Sequence, residues 1–260
     1  MTGNKEETLF IENCRYLGLK YLGAEYANII QKADKSNIGF TVFIQEIVQN
    51  EANAKKERSI KYRVIESKLP HPYKLLHGFD FGFQPNLKKK LVMDLATLNF
   101  IGQGESILFI GEPGTGKSHL AQGLGYIACQ ARYKVLYVTC SDMLSDLNLG
   151  VYEKTLLKRL QKYVLPELLI IDEMGHDRLE LEVTKEAHLL FKVVDGRYKQ
   201  NKPLIFTTNV QEDGWADYLG DPISTKAILD RIFHHSIKVQ INGPSYREHE
   251  SKELQKKYDL

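Results

Sequence analysis

The 260 residues, 43% hydrophobic and 26% charged, suffice for one large soluble domain and a smaller one. A formal net charge of only +2 excludes nucleic-acid binding driven by bulk charge, so any such contact must come from local basic patches. Cys14, Cys129 and Cys140 are scattered and form no CxxC pair, which speaks against a zinc site or a disulfide framework and for reduced thiols in the cytoplasm. No apolar run is long enough to span a membrane, and the polar start MTGNKEET does not read as a signal peptide.

In chain order, the first part reads as helical. One helix is expected from about Thr8 to Ala33, with Leu9, Cys14, Leu17, Leu22, Tyr26, Ile29 and Ile30 on its apolar side. A second starts after Gly39, where Phe40, Phe43, Ile44, Ile47 and Glu51 fall at helical spacing, apolar until the last. It runs into a basic stretch carrying Lys55, Lys56, Arg58, Lys61 and Arg63 against Glu57, either an exposed charged face or a contact with DNA or an acidic partner. Pro70 and Pro72 break the pattern. The expected organisation is therefore an all-helical module at 1–70, a large domain at 71–243 and a charged tail at 244–260.

The second part alternates. Ser106–Gly111, Lys134–Cys140, Leu168–Asp172, Pro203–Asn209 and the run SIKVQI read as strands, separated by helical stretches. Among these, the stretch from Ser141 to Val164 reads as one helix with Ser141 as N-cap. Continuous apolar strands alternating with helices predict an α/β fold, a parallel sheet covered on both faces.

GEPGTGKS, residues Gly111, Glu112, Pro113, Gly114, Thr115, Gly116, Lys117 and Ser118, fits G-x-x-x-x-G-K-[ST] between a buried strand and a helix that continues with His119. Glycines there let backbone N–H groups turn toward phosphates, and the helix N-terminus adds its dipole. Lys117 supplies a charge for the outer phosphates of ATP and Ser118 an oxygen ligand for Mg²⁺. Four apolar residues then carry Asp172 and Glu173 to the carboxyl end of a strand, where ligands sit in open α/β sheets. Asp172 suits the Mg²⁺ shell and Glu173 can orient or deprotonate a water. Asn209 ends the next strand and can face the same water; ordinary turn chemistry is the alternative. Thr207 and Thr208 are weaker candidates.

Together these elements resemble the AAA+ family of P-loop ATPases. The resemblance implies a Walker A motif at Gly111–Ser118, a Walker B motif at Asp172 and Glu173, a first sensor at Asn209, and a sensor strand lying between the P-loop strand and the acidic strand. It also implies an arginine that completes a neighbouring subunit's site from just before the last core strand, the place of Arg231. The segments LLIIDEMGH, LLFKVVDGRY, IFTTN, a tryptophan followed by GDPI, ILDRIFHHS and GPSYR, in that order, are similar to the IstB branch of the DnaC/IstB clade, helper ATPases of insertion-sequence transposition related to replicative helicase loaders. The clade lacks a C-terminal lid domain, and Arg247 is the nearest counterpart of a second sensor. Ser118 stands where threonine is commoner, and His176 where relatives often have an aromatic; no catalytic role attaches to it.

By that resemblance, the helical stretch before the acidic strand faces DNA. Its cations Lys154, Lys158, Arg159 and Lys162 share a stripe, with Leu156, Leu157, Leu160 and Val164 on the packing side; by pattern alone a solvated face is the favoured reading, and the resemblance brings the two level. The N-terminal module is implied to contact a partner or promote self-assembly. Three function classes follow: an oligomeric ATPase switch that assembles on DNA and recruits a transposase, a helicase loader acting on a hexameric helicase, and a nucleotide-dependent binding module with negligible turnover. A small-molecule kinase would need a lid and an acceptor region, and neither is evident. Arg231 is expected to project outward, with a local ion pair to Asp230 or another acid as the alternative. His234 and His235 are adjacent with no third ligand evident, which favours packing over a metal site.

Overall fold

Each apolar run of the second part forms a strand in the computed structural model, which describes residues 3–36, 38–175, 183–211, 214–215, 219 and 222–258. The strands are β1 (Ser106–Gly111), β2 (Val135–Thr139), β3 (Leu168–Met174), β4 (Leu204–Thr208) and β5 (Ser236–Ile241). They form one sheet in the order β2-β3-β4-β1-β5, and every pairing is parallel. β4 thus lies between the P-loop strand and the acidic strand, as the resemblance implied. Because all strands run the same way, Gly111, Thr139, Met174 and Thr208 end at one edge, where a ligand crevice forms.

The helices are α1 (Gly3–Tyr16), α2 (Lys20–Ser36), α3 (Phe40–Glu66), α4 (Lys89–Leu95), α5 (Asn99–Gln103), α6 (Lys117–Gln130), α7 (Cys140–Tyr152), α8 (Leu156–Val164), α9 (Val183–Tyr198), α10 (Pro222–His234) and α11 (Tyr246–Lys257). Alternate residues of the strands serve opposite faces. Leu169 and Ile171 join Met143 and Leu147 of α7, Leu190 and Val193 of α9 and Ile228 and Ile232 of α10 in one apolar cluster. Ile170 points the other way, against the α6 backbone at Gly125. Burial of each such side chain stabilises the fold by roughly 1.5–3 kcal/mol.

Arg197 is buried among these elements and has no carboxylate partner among the described residues. Its guanidinium donates to the carbonyls of Tyr163 (2.8 Å), Pro166 (3.0 Å) and Pro203 (2.6 Å), tying the turn before β3 to the residue before β4. Burial pushes its pKa down to about 9.

The chain divides into two compact units, residues 1–62 and 63–260, with the division inside α3. Within the first unit, the expected single helix over Thr8–Ala33 is two. The Gly18 N–H bonds the Arg15 carbonyl, the Leu19 N–H bonds the Cys14 carbonyl, and Gly18 has φ 73°, the left-handed conformation that ends a helix. Glu51, the charged end of an otherwise apolar spacing, accepts the Leu22 N–H at 2.9 Å and pairs with Arg58 at 2.8 Å. It therefore caps the first turn of α2.

Other expectations are corrected. The stretch Ser141–Val164 is two helices, because Lys154 takes φ 58° and the N–H groups of Lys154 and Thr155 close back onto Val151 and Gly150. The N-cap of α7 is Thr139, whose hydroxyl accepts the Asp142 N–H, not Ser141. The charged segment after 244 folds as α11, capped by the Ser245 hydroxyl. Among the described residues no helix is long and apolar enough to cross a membrane.

Candidate nucleotide site

The loop Gly111–Ser118 joins β1 to α6 at the sheet edge. Gly114 (φ 80°) and Gly116 (φ 97°) hold left-handed backbone, which turns successive N–H groups toward the same hollow. Gly111 is extended and has a different reason to be glycine: a Cβ there would collide with the Ile241 carbonyl of β5. Thr115 is buried and donates to the Glu112 carbonyl at 2.8 Å, while Glu112 and Pro113 are exposed. Lys117 folds back to donate to the carbonyls of Gly111 (2.8 Å) and Glu112 (2.9 Å). Burial lowers the Lys117 pKa, opposed by the carboxylates of Asp172 and Glu112.

Asp172 is only 1% exposed and is held by three hydroxyls. Ser118 donates to its Oδ1 at 2.9 Å, Thr207 donates to the same oxygen, and Tyr137 donates to Oδ2. Burial and then Asp172 push the Tyr137 phenol up, so it remains a donor. Glu173 has φ 59° at a β-bulge: the β3–β4 register slips between Ile171 and Met174. Asn209 lies just past β4 with its Oδ1 buried and without a partner among the described residues. Glu173, Thr207 and Asn209 line the same cavity of about 400 Å³ as Pro113–His119. Hydroxyl and carboxylate oxygens at Ser118 and Asp172, and an orphaned amide oxygen at Asn209, are the oxygen donors a hard cation such as Mg²⁺ and its waters require.

Apart from Arg247, named as the nearest counterpart of a second sensor, the other wall of this cavity was missed in the sequence. It comes from the segment around Pro72, read only as a break, and from the segment read as a tail. Phe79, Phe83, Gln84, Tyr246, Arg247 and Glu250 all line it. His119 bonds the Leu75 carbonyl at 2.9 Å, and its ring meets Phe79 edge-on, so the first turn of α6 fixes this wall. Burial lowers the His119 pKa. The Tyr246 N–H donates to the Gly114 carbonyl at 3.0 Å, anchoring α11 on the P-loop. The aromatic alternation in GFDFGF, Phe79, Phe81 and Phe83, was the available signal for a surface suited to a base.

Arg231 is not brought to this site. It lies at the opposite end of the sheet, in a cavity lined by Ser106 and Leu204 at the starts of β1 and β4. Nor does it project freely outward: its Nε donates to Asp195 at 3.0 Å, an Nη to the Ala227 carbonyl, and the guanidinium lies 4.8 Å from the Phe191 ring centre. The acid is Asp195, 36 residues away on α9, not Asp230. His234 Nδ1 sits 3.1 Å from the Tyr198 hydroxyl, and among the described residues no cluster of three His, Cys, Asp or Glu side chains suits a metal. His176 and the GD of the GDPI segment lie outside the described residues.

The basic stripe is also rearranged. Arg159 pairs with Asp146 and with Glu153 (2.7 Å), and Lys162 pairs with Asp146 at 3.0 Å. Lys154 and Lys158 are exposed and have no acidic partner among the described residues. Leu157, expected on the packing side, is 80% exposed, and Tyr163 is the buried residue of α8.

The family model described as IstB-like ATP binding protein matches residues 13–254. The chain is 37% identical over 236 residues to the protein named for ATP binding in insertion sequence IS5376 of Geobacillus stearothermophilus, covering 91% of this chain and 92% of that one. It is 34% identical over 243 residues to the corresponding IS232 protein of Bacillus thuringiensis subsp. berliner, covering 93% and 95%. In fold it resembles AMPPCP-bound DnaA from Aquifex aeolicus (TM-score 0.54, 21% identity, 74% of this chain and 57% of that one) and DnaI (TM-score 0.54, 19% identity, 68% and 94%). With a P-loop beside a buried aspartate, the AAA+ strand order and a family match over nearly its full length, the chain belongs to the IstB-like ATP-binding protein family.

Proposed function

We propose that the protein hydrolyses ATP to ADP and phosphate, assembles on DNA as an oligomer, and recruits or regulates a transposase. The observation that carries the reading is the convergence of Lys117, Ser118, Glu173 and Asn209 on one cavity at the carboxyl edge of the sheet, with the buried Asp172 bonded to Ser118. Backbone N–H groups at Gly114–Ser118 cradle the phosphates, and Lys117 exchanges its loop carbonyls for the outer phosphate oxygens. Glu173 and Asn209 hold the attacking water, with Glu173 accepting its proton. Mg²⁺, when bound at Ser118 and Asp172, would offset charge on the transferred phosphoryl group. Phe79 and Phe83 offer the apolar wall for the base, and Arg247 a further cation beside the phosphates.

Arg231 has no task in its own subunit's site. Its position fits service to a neighbour, once the Asp195 pair opens. The helical first unit is assigned partner contact or self-assembly. The helicase-loader alternative would use the same core; the insertion-sequence origin of the relatives favours transposition. The test is steady-state ATPase activity with and without duplex DNA, together with co-precipitation against a transposase and a hexameric helicase. Stimulation by DNA and capture of the transposase are expected. Absence of turnover with and without DNA overturns the hydrolytic reading, a Glu173→Gln variant with wild-type turnover overturns the role given to Glu173, and capture of the helicase alone overturns the transposition reading.

A further inference from the structure

The bulge that carries Glu173 is held by a side chain rather than by the sheet ladder. In β3 the residues Ile171 and Met174 pair with Phe206 and Thr208, so two β3 residues, Asp172 and Glu173, stand opposite Thr207 alone. A bulge leaves a backbone group without its ladder partner, and a buried N–H without a partner costs about 1–3 kcal/mol. Here the Glu173 N–H donates to Thr207 Oγ1 at 3.0 Å. The same hydroxyl donates its own proton to Asp172 Oδ1. One hydroxyl therefore accepts from the backbone of Glu173 and donates to the side chain of Asp172, and Thr207 is buried at 1% exposure.

The conformation so held is one that glutamate does not choose for itself. A non-glycine residue at φ 59° is strained by about 1–3 kcal/mol and persists only where its surroundings fix it. Left-handed backbone at 173 swings its side chain away from the alternation of β3 and into the nucleotide cavity, where Glu173 is exposed while Asp172 beside it stays buried. On the other side of β3, the Tyr137 hydroxyl of β2 holds Asp172 Oδ2, so the carboxylate is gripped from both flanking strands.

We propose that Thr207 is a positioning residue for hydrolysis: its hydroxyl sets the backbone of Glu173 and the carboxylate of Asp172 together, so that water and phosphate groups meet in register. This inference rests on the hydrolytic reading of Glu173. Thr207 Oγ1 is engaged by its two neighbours on β3, and it acts through them.

The experiment compares wild type, Thr207→Val, Thr207→Ser and Glu173→Gln for kcat, KM and the Kd of a fluorescent ATP analogue, with a crystal structure of Thr207→Val. Valine keeps the shape and removes the hydroxyl. The expected result is a kcat lower by about 100-fold with KM and Kd within about twofold, since misplacement of a catalytic group by about 1 Å costs that much. Thr207→Ser restores kcat to within a few-fold, and the Val structure shows Glu173 released from its left-handed φ. The proposal is overturned if Thr207→Val turns over like wild type, if serine is as impaired as valine, or if Glu173 keeps its φ in the Val structure. Wild-type turnover in Glu173→Gln defeats both readings, whereas its loss alongside an active Thr207→Val defeats this one alone.

Discussion

Replacing Lys154 and Lys158 together with alanine tests whether the α7–α8 region meets DNA. By sequence four cations share the stripe, and four phosphate contacts at about 0.9 each would give a salt slope near 3.6 per subunit. The structure halves that number, because Asp146 and Glu153 already neutralise Arg159 and Lys162. Two contacts remain, so the double variant should lose a slope of about 1.8 per bound subunit. Between about 50 and about 200 mM salt, that is the difference between a 12-fold and a roughly 150-fold contribution to affinity. The assay is fluorescence anisotropy of labelled duplex over a salt series, with a non-hydrolysable ATP analogue present and nucleotide affinity measured in parallel. An unchanged slope in the double variant refutes the assignment of this surface to DNA.

Three further outcomes follow from particular contacts. Arg197→Met leaves three buried carbonyls unpaired; at about 1 kcal/mol or more each, thermal unfolding should move down by about 6–12 °C, read by calorimetry. Glu51→Ala should cost the first unit about 2–3 kcal/mol, seen as lost hydrogen-exchange protection in α2. Burial opposes the Glu51 charge, but the Leu22 N–H and Arg58 outweigh it and hold the pKa below the ordinary value. Its contribution is therefore complete above the ordinary glutamate pKa and fades as pH falls through the lowered folded value, a dependence that Glu51→Gln abolishes. Asp195→Asn should weaken the hold on Arg231 and shift the protein concentration at which ATPase activity reaches half its maximum; identical concentration curves would show that the pair has no bearing on assembly.

The sheet was legible because parallel strands buried on both faces must be continuous apolar runs, and Ile107–Ile110, Leu168–Ile171 and Leu204–Phe206 are such runs. The P-loop and the acidic pair were legible for a related reason: their chemistry is local, fixed by spacing and by the strand before each. What stayed hidden depends on contacts between distant residues. Tyr137 reads as an ordinary β-former and Thr207 only as a weaker candidate, and only the sheet order places their hydroxyls on Asp172. Asp195 and Arg231 are 36 residues apart and meet through the packing of α9 on α10. Helix ends were misplaced where one left-handed residue stops a periodic pattern: Gly18 is a common choice for that role, and Lys154 carries no such mark. Tyr246–Glu250 resembled a solvated tail because α11 buries none of its residues, yet its first turn closes on the P-loop.

The central claim, an ATPase completed between subunits, is tested most directly by mixing two inactive variants. Lys117→Ala loses its own nucleotide site and keeps Arg231; Arg231→Ala keeps the site and loses the arginine. Each alone should be inactive, and a one-to-one mixture should recover up to about a quarter of the wild-type rate, because one random head-to-tail interface in four joins an intact site to an intact arginine. A mixture as inactive as its components, or an Arg231→Ala variant fully active alone, would contradict the account.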